Sequence, residues 1–585
     1  MGIAYDPVHI SFGRRDCFGY LSVIRENERE TLYICTLHAG ANMPSFTQPP
    51  RRGRLFPVKL VRNGEDLPYT VEGNTDVLKL NFEGGSGAVS IQKDGVIRIL
   101  VSGADLILEP KLDVHEVAKD RNDGSWELAL FTPKCLFCPV RGTMDVRFSY
   151  DVHTSTPGET GFTFRPDDSG IADAAIHLYI SNGLRLEQYP SFEAVSQEYQ
   201  QAFQEFLARM PILPEAYEKG RILAAYLVWT HIMEIDGTEV IFMNKGIHRA
   251  AFSWQQAYQA MAQYRNPELA WKLIAAMFRF QDDYGMLPDC VDDVKKSFSG
   301  TKPPLQGLAL IFLFQYTDFS FVPLREYRAV YDGISRLVFW WMSYRDTLHV
   351  GIPQYDAPDE SGWDDSSMFR KGAPVATPDL STYMILAMDA LAVMAHRLNS
   401  FYEEREWKRR SSEMKDKMIE WFREGNDLVP RLGMEREKVY CGSAALFVPL
   451  LLGDRLPTEI RDHLTDVMME EGGWLTPFGL AGERLDSEDY RERGGWLSGP
   501  VLGPAQLLAC LGLLFSGKKQ EAHRIVKRYA DALLRSEFAM VMSAETGKDV
   551  SEFRWGSRYP NRMSWTGMVF LVLGSLLLDE KDHPS

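Results

Sequence analysis

Ser191-Phe-Glu-Ala-Val-Ser-Gln-Glu-Tyr-Gln-Gln-Ala-Phe-Gln-Glu-Phe-Leu207 is the point at which the chain changes character. Its apolar residues recur at helical spacing behind a Ser that can cap a helix, and Pro211 and Pro214 close the segment. Upstream the pattern is that of strands. Thr31-Leu-Tyr-Ile-Cys-Thr-Leu37, Val77-Leu-Lys-Leu-Asn-Phe82, Val96-Ile-Arg-Ile-Leu-Val101 and Met144-Asp-Val-Arg-Phe-Ser-Tyr150 alternate or cluster β-branched and aromatic residues. Turns such as Asn63-Gly64, Gly84-Gly85 and Asn122-Asp123-Gly124 punctuate them. Many short strands at regular spacing predict an antiparallel β-sandwich over residues 1–190. Residues 191–211 read as a connecting helix and residues 212–585 as a helical domain.

In that domain periodic helical segments are predicted at 215–234, 252–264, 267–281, 304–317, 323–345, 379–398, 400–424, 500–515, 518–536 and 563–578. Long loops rich in Gly, Pro and Trp separate them, and long structureless loops in compact domains are usually functional. About a dozen helices with such loops suggest inner and outer helices paired and closed into an (α/α)6 toroid. A solenoid is the alternative, but no fixed-period repeat is visible.

At 585 residues the chain is too long for a single core. A net charge of −16 argues against a nucleic-acid partner, because phosphate binding needs a clustered basic surface. No hydrophobic run approaches the roughly 20 residues of a membrane span, and the start of the sequence as given has no signal-peptide pattern, so a cytoplasmic location is expected. The seven cysteines are scattered, and Cys135-Leu-Phe-Cys138 is a lone CxxC without the further ligands of a zinc site. Neither metal nor cofactor is expected. Asp282-Asp283 and Asp292-Asp293 do not have the spacing of a calcium loop. The 13 Trp and 24 Tyr mostly fill a large core, yet the same side chains offer flat faces on which a sugar can stack. Oligomeric state is not legible.

The loop richest in chemistry is Asp359-Glu360-Ser361-Gly362-Trp363-Asp364-Asp365-Ser366-Ser367, which follows Gly351-Ile-Pro-Gln-Tyr355. Four acids surround a Gly-Trp pair. Gly permits an unusual turn, and Trp supplies a wall that desolvates a carboxyl and raises its pKa into the working range of a general acid. An acidic solvated loop is the plain alternative. Glycoside hydrolysis needs two carboxyls on opposite sides of the scissile bond.

Glu360-Ser-Gly-Trp-Asp-Asp-Ser366 resembles the acid loop shared by the glycoside hydrolase family 63 α-glucosidases and the family 37 trehalases. The resemblance continues in order over about 330 residues. It takes in Phe252-Ser-Trp254-Gln255, Gly285-Met-Leu-Pro288, Thr301-Lys-Pro-Pro-Leu-Gln306 and Asp379-Leu-Ser-Thr-Tyr383. It then takes in Trp474-Leu-Thr-Pro-Phe-Gly479, Arg493-Gly-Gly-Trp496-Leu-Ser-Gly-Pro500-Val501 and Ser564-Trp565-Thr566. It implies an inverting α-glycosidase acting on a short glucoside or oligosaccharide, with Asp364 as general acid. A trehalase, a mannosyl- or glucosylglycerate-type hydrolase and an inactive sugar-binding protein are the alternatives.

Two departures bear on function. Gln255 stands where the families carry an Asp that contacts the sugar, which implies altered specificity. Met540 stands where they carry the catalytic Glu, shortly before Thr546-Gly547. The base then falls to Glu545, Glu537 or Glu552, preferred in that order. Trp254, Trp363 and Trp496 are candidate subsite walls. Gln255, Tyr355 and Arg493 are candidate hydrogen-bond partners of the substrate, and His248 is a further contact candidate.

Overall fold

The computed structural model describes residues 2–26, 29–42, 53–130, 133–181, 183–246, 248–551 and 562–578. The N-terminal part is two antiparallel sheets face to face. One has nine strands, running in space from Ala4–Tyr5 through Thr70–Asn74, Leu78–Phe82, Gly85–Ile91, Ile97–Ser102, Ile171–Tyr179, Lys134–Arg141 and Trp126–Ala129 to Val117–Asp120. The other has seven, built on Gly19–Glu26, Arg29–Thr36, Arg54–Arg62, Asp105–Leu108, Gly161–Arg165 and Thr143–Arg147, with Glu65–Leu67 paired to Arg54–Arg62. Alternate residues point inward, so Leu32 and Ile34, Leu106 and Leu108, and Phe162 and Phe164 meet in the buried layer between the sheets. The CxxC lies on the strand Lys134–Arg141. Residues three apart on a strand face opposite sides, so Cys135 joins the main core and Cys138 a separate small cluster, neither in a disulfide.

The helix Phe192–Leu207 leads out of the sandwich, its first turn capped by the Ser191 side chain accepting from Ala194 N. Beyond it, helices alternate between two layers. The inner ones are Ser253–Met261, Gln306–Leu313, Pro378–Arg397, the 3-10 segment Ala444–Arg455, Gly503–Phe515 and Ser564–Ser575. Each packs on the next, and Ser564–Ser575 returns to Ser253–Met261, so the ring closes. The outer ones are Glu218–Trp229, Pro267–Ala276, Leu324–Tyr344, Phe401–Phe422, Thr458–Met468 and Lys519–Arg535, each packed on an inner partner. The sequence explains the layering. Every residue of Ser253–Met261 and Ser564–Ser575 is buried, whereas Lys519–Arg535 buries only the stripe Ala522, Ile525, Val526, Tyr529 and Leu533 with the small residues between. This is an (α/α)6 toroid.

Three sequence expectations need correction. The helix predicted over 215–234 stops at Trp229, because Asp236-Gly237, both with positive φ, turns Ile232–Ile235 back against Thr238–Ile241 as a hairpin. The elements Ala444–Arg455 and Thr458–Met468 were not among the predicted segments; in the first, Pro449 and the positive φ of Gly453 (56°) break the pattern. Pro378–Arg397 is long and apolar enough to cross a membrane by length and composition, but it is mostly buried as an inner helix of the toroid.

The sandwich is fastened to the toroid through buried polar contacts. Tyr20 Oη donates to Lys245 O at 2.6 Å, and Gly13 N donates to Tyr226 Oη at 3.4 Å. His38 Nδ1 lies 2.7 Å from Asp293 Oδ2, while Ala39 N donates to Asp293 Oδ1 at 2.8 Å. At the centre of this contact Lys245 is fully buried, and its ammonium has no hydrogen-bond partner among the described residues. The Tyr20 ring lies beneath it at 5.3 Å. Burial pulls the Lys245 pKa down to about 7.

Candidate active site

In an alternating toroid the loops that follow outer helices and precede inner ones gather at one end, and the first turns of the inner helices face the axis there. Four segments meet at that end. The Trp254 ring lies edge-on to Trp565 with centroids 5.6 Å apart, and Trp565 stacks on Trp496 at 5.4 Å. Gly362 sits against Trp254 so closely that a Cβ there would be 3.1 Å from the ring. Its φ of 73° is left-handed, so the turn that presents Trp363 and Asp364 depends on glycine.

The four acids of the 359–365 loop have separate tasks. Asp359 pairs with the ammonium of Lys302 at 2.8 Å, and Lys302 also reaches Asp289 at 3.4 Å. Burial alone would lower the Lys302 pKa, but these carboxylates, with a contribution from Asp364, raise it. Burial raises the Asp289 pKa against the opposing pull of Lys302. Glu360 is clamped by Arg345 at 2.5 Å and accepts from Asp356 N at 2.8 Å. Asp365 accepts from Trp496 N at 2.6 Å, Leu497 N at 2.7 Å and Ser498 Oγ at 2.9 Å. Downstream, Ser367 Oγ donates to Glu483, which also accepts from Gly442 N and Ser487 Oγ. Asp364, half-buried between Trp363 and Asp365, is thus held on a loop nailed down on both sides. Such rigidity is what an acid that must meet a substrate oxygen requires.

Around this loop several polar atoms are buried without a partner among the described residues. They are Trp254 Nε1, Trp565 Nε1, Thr566 Oγ1, Thr301 Oγ1 and Gln306 Oε1, all at or next to the starts of inner helices. Left dry, each would cost about 1–3 kcal/mol. Donors and acceptors gathered beside indole rings suit a ligand rich in hydroxyl groups.

The structure sorts the remaining sequence candidates. Trp254, Trp363 and Trp496 are all buried near the acid loop. Arg493 is exposed on the 490–495 loop, and His248 packs edge-on to Phe252. Gln255 keeps its Oε1 buried without a partner among the described residues. It is completely buried, and Nε2 donates to Ser564 Oγ at 2.8 Å across the contact between two inner helices. Tyr355 is also completely buried, because its short strand pairs with Val375–Ala376. Its hydroxyl donates to Asp379 Oδ2 at 3.0 Å, a contact that braces the wall behind the acid loop. Burial raises the Asp379 pKa to about 6.

The three base candidates separate too. Glu537 follows an outer helix in a left-handed conformation (φ 51°) that leaves it exposed, and its carboxylate groups with Asp6 and His9 of the sandwich. That pairing assigns it to the domain contact and not to the acid loop. Glu545 is exposed on the turn at 544–546, near the Tyr490 phenol. Tyr490 donates to Glu492 at 2.5 Å, one residue before Arg493 on the loop that leads to Trp496. Glu552 lies outside the described residues. Met540 is buried and precedes Val541–Met542, which pairs with Val501–Leu502 at the start of an inner helix. Asp282 and Asp292 accept from backbone N–H groups two to four residues on, which makes them turn caps. Sequence reasoning missed Lys302, Asp289 and the anchor role of Asp365. The adjacent acids 364 and 365 were its signal, since successive residues of a turn project to different sides.

A toroid whose acid loop and tryptophans meet at the inner helix starts defines an (α/α)6 glycoside hydrolase. Residues 249–560, more than half of the chain, match the model of the mannosylglycerate hydrolase MGH1-like glycoside hydrolase domain, and the chain belongs to that family. Over nearly its whole length the fold is similar to a bacterial glucoamylase solved in complex with acarbose. That match has 10% identity and a TM-score of 0.62, covering 98% of this chain and 94% of the other. It is also similar to a family 63 mannosylglycerate hydrolase from Thermus thermophilus in complex with Tris. Here identity is 18% and the TM-score 0.51, covering 60% of this chain and 98% of the other. The same values hold for that enzyme in complex with Tris and D-glycerate. No curated protein sequence matches the chain.

Proposed function

We propose that the chain hydrolyses the α-glycosidic bond of a small glycoside with inversion, Asp364 serving as general acid. The observation that carries this reading is the division of labour on the acid loop: Asp359, Glu360 and Asp365 hold it in place, while Asp364 stands at its turn beside Trp363. In this scheme the Asp364 carboxyl gives its proton to the leaving glycosidic oxygen as the bond to the anomeric carbon breaks. A water on the opposite face attacks that carbon and loses a proton to a carboxylate about 6.5–9.5 Å from Asp364. Glu545 is the favoured base, supported by its place near the loop that carries Arg493 and Trp496.

The family and the D-glycerate in a similar solved enzyme support a small aglycone, including a hydroxy acid. Glucosides, mannosyl- and glucosylglycerate and trehalose therefore form the substrate panel. The test follows the anomer of the first-formed sugar by NMR during turnover. Release of the β-anomer from an α-glycoside supports inversion, and release of the α-anomer rules it out.

Met540 supports a second reading, a toroid that binds sugar without cleaving it. Saturable binding across the panel with no turnover would establish that reading over the first.

A further inference from the structure

A groove with a volume of about 790 Å³ lies away from the toroid end, on the outer face of the seven-stranded sheet. The outer face of an antiparallel sheet usually lies open to water. Here the turn after Glu65–Leu67, the segment 109–112 and the segment 158–160 rise around it as walls. Its floor includes Tyr33, Pro57 and Lys59 on neighbouring strands, all half-buried although they point away from the core. Tyr69 closes one side, its hydroxyl fixed to Val58 O at 2.6 Å so that the ring is held in place.

The charges of the lining decide what fits. Arg29, Lys59, Lys111 and Arg147 supply four cations, and Glu30, Asp66, Glu109 and Glu159 four anions. Lys59 and Arg147 both bridge to Glu109, and Arg147 extends to Glu159 at 3.8 Å. A balanced lining does not concentrate a phosphate or a metal ion, and one so polar does not suit a lipid chain. Tyrosine rings beside a dense array of donors and acceptors suit a neutral, hydroxyl-rich ligand. The volume falls in the ordinary range for a small-molecule site. We propose that this groove is a second, non-catalytic carbohydrate site that binds a neutral oligosaccharide or the end of a polysaccharide. The groove's own chemistry carries this, and the glycosidase reading adds only that such ligands are at hand.

The test uses the full chain with Asp364→Asn, so that ligand is not consumed. Affinity electrophoresis in gels containing glycogen, pullulan, mannan or xyloglucan should retard it in at least one. Tyr33→Ala should weaken that retardation roughly tenfold, the equivalent of about 1.4 kcal/mol. Glu159→Arg, a change at an 86% exposed side chain that leaves the fold alone, should also weaken it by upsetting the charge balance. Turnover of a nitrophenyl glycoside by the otherwise wild-type chain should be unchanged in both groove variants. No retardation in any gel, or retardation indifferent to both substitutions, would overturn the proposal. Retardation that depends on Tyr33 in a chain with no measurable turnover would uphold the groove and count against the proposed function alone.

Discussion

Replacing Lys245 by Met should stabilise this protein, and the gain should depend on pH in a definite direction. The ammonium sits at the contact between sandwich and toroid without a hydrogen-bond partner among the described residues. The titratable groups around it offer no counter-charge. Burial pushes the Cys17 and Cys35 thiols up to about 12, which keeps them neutral, and pulls the buried His231 down to about 3. The Lys245 pKa falls from 10.5 in the free side chain to about 7 in the fold. The difference of about 3.5 between those two values, at about 1.4 kcal/mol each, caps the penalty at about 5 kcal/mol. Between pH 7 and 10.5 the unfolded chain holds a proton that the folded chain lacks, so wild-type stability rises with pH through this window. Below about pH 7 the penalty is complete, and above about 10.5 it is gone. Met fills nearly the same volume without a charge. Thermal melts of wild type and Lys245→Met from about pH 6 to about pH 10.5 should show the variant well ahead at the acid end, with the margin shrinking steadily. A variant less stable at the acid end, or a margin that does not change with pH, would refute the reasoning.

Three further outcomes follow from the site. Gly362→Ala forces a side chain into a left-handed turn against Trp254, so it should cost about 1–2 kcal/mol in a denaturation assay and lower kcat with it. Asp379 has its pKa raised to about 6, so the stability it contributes is complete below about pH 4 and lost as pH rises to 6. Asp379→Asn should therefore match wild type at about pH 4 and exceed it at about pH 8, by up to about 3 kcal/mol in urea titrations. Glu545→Gln should lower kcat by about 10²-fold or more, while Glu537→Gln stays near wild type in the same steady-state assay. The reverse order would return Glu537 to the chemistry.

The succession of sandwich and toroid was legible because the strand and helix periodicities are both strong. The acid loop was legible because Gly362-Trp363-Asp364 joins a turn, a wall and an acid within three residues. What pattern could not give was the direction of individual side chains. Gln255 sits beside Trp254 in sequence, yet adjacent helix positions lie about 100° apart, so Trp254 reaches the acid loop and Gln255 the neighbouring helix. Tyr355 looked available because it precedes the acid loop, but its two-residue strand draws it inside. Glu537 directly follows the predicted helix 518–536, and its left-handed backbone shows that the chain has already turned towards the sandwich. Lys302 was passed over as part of a Pro-Pro helix start, since its partners Asp289 and Asp359 are distant in sequence.

The central claim is that Asp364 protonates a leaving group, and leaving-group dependence tests it most directly. Wild type and Asp364→Asn would be compared on alkyl α-glycosides, including glycosylglycerates, and on a dinitrophenyl α-glycoside whose phenolate departs without a proton. The account predicts a loss of about 10²–10⁴ in kcat/KM on the alkyl glycosides and a much smaller loss on the dinitrophenyl glycoside. Full activity of the variant on alkyl glycosides, or an equal loss on both, would contradict it.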